Sequence, residues 1–389
     1  MPVAIVAGAL ANKPFSGGEA WVRLSWALGL RRLGFDAHFV EELPPEGCVD
    51  ESGQGVDFAA SANRGYFEEV VQAFGLAGKA SLLCGDEAAG LGLRELRGLF
   101  AEADLLVNVS GHLTRDELLT APRERIYVDL DPGFTQAWHA DRRVPFAIGA
   151  HDHYVTVGLN VGTPACPIPD CGLRWIPTLP PVVLDEWPSQ PPPGRPLRFT
   201  TVATWRSPYG PVVIDGETMG LKHHEFRRLI ELPRRVAGAS FEIALDIHPA
   251  DSADLEALRE SDWAIVESRP HAGSPFRFRE YVQGSGAEFS VAQGAYVASR
   301  SGWFSDRTAA YLAAGRPALV QDTGIGDRLP VGQGLLAFDT LEEAAAGAEG
   351  IAADYEAHSA AARAFAEEHL DSDCVLGRLL TAIGGEWAA

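Results

Sequence analysis

The sequence predicts an α/β protein built of two Rossmann-like, doubly wound domains that face each other across a cleft. Three observations carry this expectation. The chain opens on a strand–helix–strand pattern over residues 3–41. Strand and helix signals then alternate on both sides of one proline-rich stretch, residues 177–198. The 389 residues exceed one ordinary core and fit two domains of about 150–200 residues each.

In the first half, the apolar run 3–6 reads as a buried strand, 8–18 as a loop and 19–33 as a helix. Trp21, Leu24, Ala27, Leu28 and Leu30 recur at helical spacing and face inward, which places Arg23, Arg31 and Arg32 on the outer face and in the last turn. Gly34 ends the helix before a second strand at 36–41. Further strands are expected at 105–109, 126–130 and 154–157, each followed by turn residues. The proline stretch reads as an extended connector. Beyond it, strands are expected at 198–203, 241–247, 263–267 and 288–291, with a helix at 251–260. The alanine-rich tail, 341–368, is expected to be helical.

Composition narrows the functions. With 32 Lys and Arg against 53 Asp and Glu, the formal net charge is −21, which argues against a nucleic-acid partner. No run approaches the roughly 20 apolar residues of a transmembrane helix. The N-terminus has no basic n-region and reads as a first strand, so the cytoplasm is the expected location. The five cysteines, Cys48, Cys84, Cys166, Cys171 and Cys374, are scattered and read as reduced thiols. Cys166 and Cys171 flank a short loop, but no second pair stands at zinc-like spacing.

The stretch from Ser301 to Gly324 is the most informative. Ser305 is an N-cap candidate, Asp306 falls in the positive first turn and 308–314 forms a small-residue helix suited to close packing on a sheet. Gly315 and Pro317 end it, and 318–320 is a short strand running into a second polar, glycine-containing loop. This order of loop, helix, Ala-Gly-Arg-Pro, strand and Asp-Thr-Gly resembles the nucleotide-sugar half of the GT-B glycosyltransferases. Gly334-Leu335-Leu336 and an acidic helix from Thr340 extend the resemblance. One position departs from it: where retaining members carry a ribose-binding glutamate this chain has Ala310, and Asp306, one turn earlier on the same face, is the candidate substitute.

The resemblance implies an N-terminal acceptor-side domain over 1–185, a nucleotide-sugar domain over 186–360 and a C-terminal segment, 361–389, that returns to the first domain. It implies a glycosyltransferase that moves a sugar from a nucleotide-diphosphate donor to a hydroxyl-bearing acceptor, with no cofactor beyond the nucleotide-sugar co-substrate and no metal.

Candidate site residues follow from strand ends and helix starts, where open α/β sheets hold ligands. On the acceptor side, Ser16, Gly17 and Gly18 form a glycine loop ahead of the first helix, although a plain tight turn has the same signature. His112, just past the strand 105–109, is the candidate base, since its near-neutral unperturbed pKa suits proton transfer. Asp131 is the alternate base or the group that orients His112. On the donor side, Thr204, Trp205 and Arg206 follow the first strand of the second half, and Lys222 lies beyond them. Arg206 and Lys222 offer charge to a diphosphate. His248, Trp303, Ser305, Asp306, Arg307 and Thr308 complete that side, with Trp303 or Phe304 as a stacking surface and Arg300 nearby. Two other readings keep the fold: a nucleotide-sugar epimerase or hydrolase, and a non-catalytic binding protein in which Ala310 records lost activity. An oxidoreductase ranks below these, because neither half has a complete G-x-G-x-x-G fingerprint.

Overall fold

The computed structural model describes residues 1–141, 147–191, 194, 196–207 and 209–384. The first sheet contains β1 (Val3–Ala7), β2 (Asp36–Glu42), β3 (Ala80–Cys84), β4 (Glu87–Ala89), β5 (Leu105–Val109), β6 (Glu124–Asp129), β7 (His153–Thr156) and β8 (Trp175–Pro177), in the order β4-β3-β2-β1-β5-β6-β7-β8. Every pairing is parallel except β3 with β4. β1 reads VAIVA because a central parallel strand is covered on both faces, and its last four residues are buried.

The second sheet contains β9 (Leu197–Thr204), β10 (Ala239–Asp246), β11 (Ala264–Glu267), β12 (Ala287–Ser290), β13 (Ala318–Gln321) and β14 (Leu335–Phe338), in the order β11-β10-β9-β12-β13-β14 and parallel throughout. In both sheets the strand order reverses beside the first strand, between β1 and β5 and between β9 and β12. Such switch points open crevices at the carboxyl ends of the strands.

The expected two-domain α/β architecture is present, with elements absent from the sequence reading. β3, the helix α2 (Ala62–Ala73) and the helix α3 (Leu93–Glu102) fill the stretch between β2 and β5. The connector runs from β8 to β9, and Pro192, Pro193 and Arg195 within it lie outside the described residues, as do residues 385–389. Trp187, in the connector, is almost fully buried.

The two halves share apolar contacts through the first helix, α1 (Gly17–Arg32). Trp21 donates its indole N–H to the Pro275 carbonyl at 2.8 Å and packs on Trp187 and Phe74. Arg23, expected on the outer face, is instead 2% exposed. Its stem lies beside Gly8, just past β1, and its guanidinium pairs with Glu19, while the second half covers α1 at Gly17, Gly18 and Trp21. The last helix among the described residues, Ser372–Ala382, lies against α1 and is tied to it by Arg32 Nε donating to Asp373 at 2.9 Å.

Candidate functional site

The carboxyl ends of the two sheets point at each other, and a set of charged groups from both halves gathers between them. The first half supplies Lys13 and Glu19 around the loop after β1, Arg23 on α1, His112 after β5 and Asp131 after β6. The second half supplies Lys222, Glu288 on β12, and Asp306 and Arg307 at the start of the helix Asp306–Ala313.

His112 stands where it does because Asn108, wholly buried at the end of β5, clamps the loop. Its Oδ1 accepts from the Leu113 N–H and its Nδ2 donates to the Leu113 carbonyl, each at 3.0 Å. Burial, reinforced by the Arg23 and Lys13 charges, pushes the His112 imidazole down to about 3. It is therefore neutral, with one ring nitrogen able to accept a proton at any ordinary pH.

Asp131 does not orient His112. Its Oδ1 accepts from the Tyr296 hydroxyl of the second half at 2.8 Å, and its backbone N–H is held by Asp129 at 3.0 Å. Asp129 itself is buried and saturated by Thr135, Gln136 and Thr156, so the two carboxylates do not act as a pair.

The cations divide sharply. Lys13 and Arg23 both pair with Glu19, which burial would raise but which these charges and hydrogen bonds draw down to about 2. Arg206, expected at a diphosphate, instead spans to Asp251 at 2.8 Å. Arg300 pairs with Asp322 and Asp327. Arg307 is turned into the protein: it donates to Glu288 at 2.7 Å, to Ser290 at 2.7 Å and to the Val202 carbonyl at 2.8 Å. Lys222 differs from all of these. Its backbone N–H is held by Gln293 at 2.7 Å, but among the described residues its ammonium has no hydrogen bond or ion pair. Burial first, then the neighbouring Arg307 charge, push its pKa down to about 8.

Asp306 opens its helix behind the N-cap Ser305, whose hydroxyl accepts from the Arg307 N–H at 3.2 Å. Burial, and next the charge of Glu19 across the cleft, raise the Asp306 carboxyl to about 7. Ala310, one turn on, is buried.

Other expected contacts are spent elsewhere. Trp205 belongs to the core of the second half, 2% exposed, packed on Phe226 and donating to Asp254 at 2.8 Å. An aromatic in a turn carries the same signal whether it faces ligand or core. His248 caps the short turn after β10 by accepting from Ala250, and Thr204 is exposed at the end of β9. Phe304 is buried against Phe365. Trp303 packs on Tyr296 and, with Ser305 and Thr308, lines a cavity of about 10 Å³. The glycine loop packs on the second half: a Cβ on Gly17 would stand 2.1 Å from the Ser274 carbonyl oxygen, and Gly18 lies on the Phe278 ring. Ser16 flanks α1 without a side-chain cap bond.

Arg307→Ala is expected to unfold more readily rather than only to bind less. It would strand Glu288, which is 0% exposed and already has one oxygen without a partner. Breaking such a buried pair costs about 3–5 kcal/mol. Urea unfolding of the variant measures this, and a loss below about 1 kcal/mol would contradict the burial argument.

No protein-family model matches the sequence, and no curated protein matches it. Solved structures match along the whole chain. Similar to it are HepE of Anabaena in complex with UDP and glucose (TM-score 0.60, 10% identity, 98% of this chain and 99% of that one) and AviGT4, a glycosyltransferase involved in avilamycin A biosynthesis (TM-score 0.57, 13% identity, 98% and 97%). The chain has the GT-B fold. This fold is shared with a putative UDP-N-acetylglucosamine 2-epimerase from Listeria monocytogenes (TM-score 0.51, 13% identity, 98% and 96%). The cleft between the halves of a GT-B fold is the place where the charged groups above converge. Among the described residues, no three His, Cys, Asp or Glu side chains converge as a metal site, and no helix is long and apolar enough to cross a membrane.

Proposed function

We propose that this protein is a glycosyltransferase that takes a sugar from a nucleotide-diphosphate donor held by its second half and passes it to a hydroxyl-bearing acceptor held by its first, without a metal ion. The observation that carries the reading is Lys222, whose ammonium has no partner among the described residues. Each arginine facing this region has its own protein partner, while Lys222 presents a partly desolvated ammonium to the cleft. A diphosphate leaving group is what such an ammonium would stabilise, together with the N-terminal N–H groups of the helix Asp306–Ala313. His112, beside Arg23, Lys13 and Glu19 in the other half, is a neutral imidazole, the form a general base must start from. Asp306, with its carboxyl near 7, is a second group able to exchange a proton at working pH.

Calorimetric titration with UDP, dTDP, GDP and ADP, first without metal and then with magnesium, tests the donor class. Saturable, metal-independent binding of one of them is expected. Binding of none would leave a GT-B protein that handles no nucleotide sugar. The epimerase-like neighbour favours a second reading, in which the donor is turned over alone. Product analysis of the nucleotide sugar incubated without acceptor distinguishes the two.

A further inference from the structure

We propose that Asn160, a residue of the first half, positions the donor-binding loops of the second half, so that the nucleotide-sugar site is complete only when the halves are closed. The inference rests on the donor reading above, and it names a residue that neither sequence motif nor charge singles out.

Asn160 follows β7 on a strap, residues 157–174, that leaves the first sheet and returns to it at β8. The strap reaches across the cleft. Gly158 forms an antiparallel bridge with Trp303, and the N–H groups of Leu159 and Asn160 donate to the carbonyls of Gly302 and Ser301 at 3.2 and 3.0 Å. The Asn160 side chain, 4% exposed, is then shared between two turns. Its Nδ2 donates to the Arg300 carbonyl and to the Gly324 carbonyl, and its Oδ1 accepts from Arg328 Nε, all at 3.0 Å. The amide thus has every hydrogen-bonding group engaged, and all of its partners lie in the other half.

The receiving turns close tightly on this one residue. Gly302 and Gly324 both adopt positive φ, +70° and +85°, and a Cβ on either would stand 2.9 Å from an Asn160 nitrogen. The first turn leads directly into Trp303, Ser305 and Asp306, and the second follows β13, beside Gln321 and Ile325. These are the two walls of the small cavity ahead of the helix Asp306–Ala313. Its volume of about 10 Å³ is far below the 300–1,000 Å³ that ligand sites occupy. A nucleotide that contacts these walls therefore depends on where Asn160 sets them. An asparagine anchored in one half, with its side chain bonded only to the other, is a coupling element between closure and site shape.

The test is UDP binding by calorimetry to the wild type, Asn160→Ala and Asn160→Asp. The aspartate keeps the shape and the acceptor for Arg328 but removes both N–H donors. Affinity is expected to fall about tenfold in both variants, the size of a typical coupling between sites. The aspartate variant is expected to recover part of that loss at acid pH, where a protonated carboxyl again offers one donor. A residue that serves only stability would lower the melting temperature and leave the UDP affinity of the folded protein, and its pH dependence, unchanged; that result overturns the assignment even if one variant fails to fold. If the wild type itself binds none of UDP, dTDP, GDP and ADP, the donor reading fails and Asn160 loses its role with it. Wild-type binding with unchanged variants removes Asn160 alone.

Discussion

Lys222→Ala is expected to weaken nucleoside-diphosphate binding by about 10- to 100-fold while the fold is retained. A hydrogen bond to a charged group contributes about 1.5–3 kcal/mol, and among the described residues no partner is left unpaired when this ammonium is removed. The pH dependence makes the prediction specific. In the free protein burial and Arg307 hold the Lys222 pKa down to about 8. Only the protonated form attracts a diphosphate, and a bound diphosphate raises the pKa. Loss of the Lys222 proton should therefore add a rise in the dissociation constant of up to tenfold per unit above pH 8, until the pKa of the bound state is reached. In Lys222→Ala this alkaline rise should be absent. Calorimetric titrations between pH 6.5 and 9.5 read both effects, and a parallel rise in the variant would assign it to another group.

His112→Ala is expected to slow transfer sharply and keep donor binding. General-base catalysis contributes typically about 10²- to 10⁴-fold, so kcat should fall within that range while UDP affinity stays within about twofold. Because the His112 pKa is depressed to about 3, its protonation leaves no mark near pH 6.5. Any titration of kcat/KM around neutrality should instead follow Asp306, whose carboxyl lies near 7, and should vanish in Asp306→Asn. A limb near pH 6.5 that disappears with His112 would show that the histidine is solvated during catalysis, contrary to its burial. Unaltered transfer would remove it from the mechanism.

The parts of this molecule that were legible in its sequence are those fixed by local rules. The unit from Ser305 to Gln321 reads correctly because an N-cap serine, an acidic first turn, a closing glycine and a short apolar strand each act within a few residues. The opening βαβ unit reads for the same reason. What failed depends on surfaces that come from far along the chain. Arg23 is buried beside Gly8, just past β1, with its guanidinium on Glu19, and Gly17 must be small because the Ser274 carbonyl meets it, neither of which helical spacing reveals. Arg206 and Arg307 carry the charge a phosphate wants, but Asp251 and Glu288, 45 and 19 residues away in sequence, claim them. β3, with the apolar run ASLLC, is too short to be told from any other buried segment by periodicity. Asn160 had no signal at all, since an asparagine after a strand reads as a turn residue. Its own clue lay in Gly302 and Gly324, positive-φ glycines on which a Cβ would also press against it.

The account's central claim is that a donor diphosphate sits in the cleft against Lys222 and the start of the helix Asp306–Ala313. A crystal structure of the protein with whichever nucleotide it binds tests that most directly. A phosphate oxygen within ion-pair distance of Lys222 Nζ, about 4 Å or less, is the predicted result. A diphosphate seated instead on the loop between β1 and α1, or paired with Arg206 after displacing Asp251, would contradict it.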